Sequence, residues 1–137
     1  MNTATETNDT ALITEHLEFL GYKCHEPEND GWPFAYHETR HRFFYTSESG
    51  IIKILLSYNL GKRTSEQRGK ILEWCNERNS RCGLVKFAIR NKKTGDGEDV
   101  LEGNVMMLGG YSKRLFAFFM DCLDYELKFA DFPSLKD

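Results

Sequence analysis

A chain of 137 residues with 40% hydrophobic and 13% aromatic side chains has the length and core material for one domain that needs no staples. No run approaches eighteen uninterrupted apolar residues, which excludes a membrane-spanning helix, and a net charge of -3 argues against a polyanion-binding surface over the whole chain. The charge is uneven, however. Residues 61–93 carry ten bases against Glu66, Glu73 and Glu77, whereas the segments on either side are acidic. Such blocks either meet a polyanion or face acidic parts of the same fold or of a second copy.

The first ten residues, MNTATETNDT, lack a basic region followed by an apolar one, so residues 1–9 read as a disordered lead-in, not a signal peptide. A helix is expected from about Thr10 to Leu20, with Ile13, Leu17 and Leu20 on one face and Gly21 closing it. PENDG is turn chemistry. Three strands follow, over Trp32–Glu38, His41–Ser47 and Ile51–Tyr58. The connections are too short for crossover helices, so these form an antiparallel meander. Thr64 and Gln67 stand at capping-box spacing before a second helix, Ser65–Asn79, with Ile71, Trp74 and Cys75 as its apolar stripe. Leu84–Asn91 and Val100–Leu108 read as a hairpin around KKTGDGED, and a third helix occupies Ser112–Ala130. The expected class is α+β, order α-β-β-β-α-β-β-α, with one twisted antiparallel five-stranded sheet packed against helices. The domain spans 10–132, and 133–137 form a C-terminal tail.

Cys24–His41, CHEPENDGWPFAYHETRH, concentrates a cysteine and three histidines. An even hairpin loop would pair Tyr36 with Phe43 and Phe34 with Tyr45, and would turn His37 and His41 to opposite faces. They are then not co-ligands, and no metal site is expected. No Cys–His pair is marked for catalysis, so no catalytic residue and no cofactor is expected. The four cysteines (Cys24, Cys75, Cys82, Cys122) have irregular spacing and read as reduced thiols of a cytoplasmic protein. NLGKRTSE lacks the first glycine of a phosphate-binding loop and reads as a basic helix start. TGDGEDV is too short, and flanked by the wrong elements, for an EF-hand calcium loop.

The third helix carries the clearest functional signal. Between Leu115 and Phe132 every charged position except Glu126 falls within an arc of roughly 80° at 100° per residue. One apolar stripe is Phe116, Phe119, Met120, Leu123, Leu127 and Ala130; a second is Leu115, Phe118, Cys122, Tyr125, Phe129 and Phe132. A helix on one sheet buries an apolar stripe somewhat over 100° wide, and here the two together span about 240°. Either another part of the chain covers the second stripe, or another chain does. Phe118, Tyr125, Phe129 and Phe132 are the expected protein-interaction residues.

The helix ALITEHLEFLGYKC, the meander FAYHETRHRFFYTSESGIIKILLSYN, the capped helix TSEQRGKILEWCNERNSRC running into LVKFAIR, and KRLFAFFMDCLDYELKF together resemble the YbjN-like proteins, described as sensory-transduction regulators. More broadly they resemble the type III secretion chaperone-like fold. The resemblance covers about residues 10–130. It implies a small bacterial cytoplasmic protein without catalysis, chaperone-like or regulatory. Its partner would be a protein partner or client held on apolar surface, with a homodimer as one possible assembly. A nucleic-acid-binding protein using 61–93, and a small enzyme with an unrecognised Cys/His site, are the alternatives.

Overall fold

The computed structural model describes residues 3–27, 31–81, 83–91, 98–130 and 132. The chain forms α1 (Thr3–Phe19), β1 (Lys23–His25), β2 (Phe34–Tyr36), β3 (Phe43–Glu48), β4 (Ile51–Gly61), α2 (Ser65–Ser80), β5 (Lys86–Asn91), β6 (Asp99–Leu108) and α3 (Lys113–Lys128). The α+β class and the run of elements are those expected, with one strand more. Lys23–His25 pairs with β2 and makes the sheet six-stranded, in the order β1-β2-β3-β4-β6-β5, every neighbour antiparallel. The first helix also starts earlier, at Thr3 instead of about Thr10. The expected turn at KKTGDG, the thiol of Cys82 and the tail 133–137 lie outside the described residues.

Local chemistry fixes the joints. Glu48 pairs with Ile51, so Ser49 and Gly50 alone make the β3–β4 turn. Both have positive φ (52° and 79°), the two-residue form that follows the strands' right-handed twist. The Thr64–Gln67 capping box forms in full and starts α2.

All three helices cover one face of the sheet. Tyr45, Ile54 and Val105 stand side by side on that face, and Leu56, Gly103 and Phe87 stand beside them. Ile13 and Leu17 of α1, Ile71 and Cys75 of α2, and Phe116, Met120, Leu123 and Leu127 of α3 close over these residues. Gly103 is needed here, because a Cβ on it would lie 2.8 Å from Val85 Cγ1 and 3.0 Å from Phe87. The opposite sheet face carries Phe34, Phe44, Lys53, Leu55, Glu102 and Met106, all half-buried or exposed.

The β2–β3 register differs from the expected one. Phe34 pairs with Phe44 and Ala35 with Phe43, the odd-loop register. Burial decides it: Phe43 and Tyr45 both enter the core at 2% and 1% exposure, and the Phe34–Phe44 ring pair (4.9 Å) sits on the outer face.

Candidate protein-interaction surface

Ser112 caps α3 by accepting from the Leu115 N–H. From there the two stripes part. Phe116, Phe119, Met120, Leu123 and Leu127 are buried. On the other stripe Leu115, Phe118, Tyr125 and Phe129 are 55%, 67%, 69% and 58% exposed, and Cys122 between them is half-buried. The rings of Tyr125 and Phe129 touch (4.8 Å), and the Lys128 ammonium lies 5.7 Å from the Phe129 ring centre. Among the described residues, no element packs over this row.

Phe132 is not part of that row. The helix ends at Lys128, so continuing the spacing to residue 132 places the ring wrongly. The chain turns back, and Phe132 stacks on Trp74 (5.3 Å) and on His41 (5.5 Å) and meets Phe87 and Tyr58 edge-on. It closes one end of the core.

Glu126, the one charge outside the polar arc, has a structural task. Its carboxylate accepts from the N–H groups of Leu84 and Val85 at 2.6 and 2.8 Å, which ties α3 to the start of β5. Gly83 permits the approach, since a Cβ there would fall 2.6 Å from Glu126 Oε1.

A family model whose description is "Putative bacterial sensory transduction regulator", YbjN, matches residues 9–124. The chain belongs to the YbjN family. Among solved structures it is similar to one described as "Crystal structure of YbjN, a putative transcription regulator from E. coli". That match has 13% identity and a TM-score of 0.65, and covers 88% of this chain and 86% of the other. It is also similar to an uncharacterized protein from Methanothermobacter thermautotrophicus, at 14% identity and a TM-score of 0.52, with coverage of 88% and 92%. At such identities the likeness is one of fold. A search among curated proteins finds no significant match.

The family's description names no catalytic residues, and the two histidines of the β2–β3 hairpin have local partners. His37 and His41 fall on the same, helix-covered side of the sheet, contrary to the expected opposite faces, because the register is the odd one. Each has its own partners: His37 accepts from the Thr39 N–H and lies against the Tyr22 ring, while His41 Nδ1 shares a hydrogen bond of 2.8 Å with the Tyr58 hydroxyl. Among the described residues no group of three His, Cys, Asp or Glu side chains could hold a metal ion. A cleft of about 760 Å³ beside α1 includes Thr14, Cys24, His25 and Tyr45 in its lining. Its hydroxyls are bonded to each other (Thr14–Tyr45, 2.7 Å), and burial pushes the Cys24 thiol and the Tyr45 phenol up. Neither is an activated nucleophile.

Four of the ten bases of the basic segment face carboxylates of the same chain. Arg68 pairs with buried Asp99 at 3.0 Å, Arg90 with Glu102 at 3.1 Å, Lys70 with Glu66 at 4.0 Å, and Arg81 with Glu77. Lys86 donates to the Asn79 carbonyl. Among the described residues no helix is long and apolar enough to cross a membrane.

Proposed function

We propose that this chain is a non-catalytic, chaperone-like or regulatory protein-binding module of the bacterial cytoplasm, taking a protein partner or client on the outer apolar row of α3. The observation that supports this most is the exposure of Phe118, Tyr125 and Phe129, each more than half open. Burying such a ring contributes roughly 1.5–3 kcal/mol, and a row of aromatics held in water by a domain with a complete core of its own is what a docking surface looks like. The description of the family as a sensory-transduction regulator fits a protein that acts by contact. The pairing of Arg68, Lys70, Arg81 and Arg90 with acids of the same chain reduces the charge open to a nucleic-acid phosphate track.

Replacing Phe118 and Tyr125 together by alanine tests the reading. The thermal unfolding temperature should stay within a few degrees of the parent, while assembly, with itself or with a co-expressed partner, is lost in light scattering. A variant that no longer folds would make those rings core and end the proposal.

A further inference from the structure

The spacing of the exposed row speaks to what covers it. Leu115, Phe118, Cys122, Tyr125 and Phe129 follow one another at intervals of three, four, three and four. That is the seam of a two-helix coiled coil, narrower than the face a helix lays on a sheet. α3 has 16 residues and is about 24 Å long, enough for two layers of packing on each side of a central axis.

An extended peptide added to the sheet beside the Glu126 end of α3 would need the outer edge of β5, one of the two edge strands, and the start of that edge is closed. The Asn79 carboxamide both donates to the Phe87 carbonyl and accepts from its N–H, each at 2.9 Å, and Glu126 takes the N–H groups of Leu84 and Val85. These are the devices by which sheets refuse a further strand. The spacing of the row is that of a partner helix.

The charges select which helix. On one flank of the seam stand Arg114, Asp121 and Lys128, all exposed. On the other stand Phe119, which is buried, and Glu126, which is held by the Leu84 and Val85 N–H groups. A parallel copy would set Asp121 against Glu126, like against like. An antiparallel copy sets the first flank against itself. One antiparallel register then opposes Asp121 to Asp121 and Arg114 to Lys128. The other, one heptad along, opposes Asp121 to Lys128 twice. Three rings about two-thirds open offer on the order of 400 Å² per copy, about half of the roughly 800 Å² per partner of a standard interface. Leu115, Cys122 and the charged flank adjoin them.

Building on the reading of this row as a partner surface, we infer that its occupant is the same row of a second copy. The two α3 helices run antiparallel about a twofold axis between Leu123 and Asp124. Phe118 of each copy packs on Phe129 of the other, Cys122 on Tyr125, and Asp121 faces Lys128.

Molar mass by light scattering, over a hundredfold range of concentration, tests this on the full chain and on Asp121→Lys, Lys128→Asp and the double exchange. Both residues are exposed, and melting curves confirm that each variant folds. The expected result is a dimer whose dissociation constant rises about tenfold or more in each single variant and returns to within about threefold of the parent in the double. A dimer that Phe118→Ser abolishes but the exchanges leave untouched overturns the register and keeps the surface. A dimer indifferent to Phe118→Ser overturns both. A monomer throughout overturns the self-pairing, and the surface then stands or falls on capture of a co-expressed partner.

Discussion

Phe116 and Phe118 are two residues apart on one helix and share a side chain, yet one is fully buried and the other two-thirds open. The difference runs the length of α3. Its inner row completes a core that already involves α1, α2 and every long strand; its outer row is equally apolar, and among the described residues no other element packs over it. Hydrophobicity alone therefore does not tell core from contact surface. What separates them is whether the sheet below can reach both rows, and one sheet face reaches only about a third of a helix circumference.

The largest effect expected from perturbing the inner side is that of Phe116→Ala, which leaves a cavity and should cost about 3–5 kcal/mol in urea unfolding. Arg68→Ala comes next. Asp99 would keep its buried carboxylate without its partner, and a loss of about 1–3 kcal/mol is expected. A value near zero would return Arg68 to the pool of free surface cations that a polyanion could use. Glu126→Ala should cost about 1–2 kcal/mol through the two N–H groups it orphans. Hydrogen exchange at Leu84 and Val85 should quicken along with it, whereas Asp121→Ala, on the open side, should leave both rates alone.

The inner side also carries the pH response. Burial, with a smaller push from Lys113, lowers the pKa of His16; burial also lowers that of His41, against a weaker opposite pull from Asp124. A folded-state value below the unfolded one near 6.5 means that the unfolded chain takes up protons first. The contribution is then complete above about pH 6.5 and is lost as pH falls through that value towards the folded one. Urea midpoints should decline between pH 7 and pH 5, less steeply in His41→Gln. An unchanged slope in that variant would remove His41 as a source.

Much of this arrangement can be read in the residues. The Thr64 cap, the Ser112–Ala130 periodicity and the alternation of β4, β5 and β6 are local signals, and the structure follows them. Glu126 stands out in the sequence as the one charge in an apolar arc, and its bond to Leu84 and Val85 is the reason. What failed was non-local. Lys23–His25 is only three residues, too short for its alternation to stand out, and only the neighbouring β2 makes it a strand. Aromatic pairing on one hairpin favoured Tyr36 with Phe43, but the core needs Phe43 and Tyr45 on the same buried face as Ala35, and that sets the other register. Phe132 shares the spacing of the outer row and leaves it because the chain turns after Lys128 towards Trp74, a contact 58 residues away in sequence that no periodicity encodes.

The smallest expected effect is the most telling. Phe118→Ala and Phe116→Ala, compared by chemical unfolding in dilute solution, test the division of α3 directly. The account predicts a loss of several kcal/mol for Phe116→Ala and within about 0.5 kcal/mol of the parent for Phe118→Ala. Losses of equal size would place Phe118 in the core and contradict it.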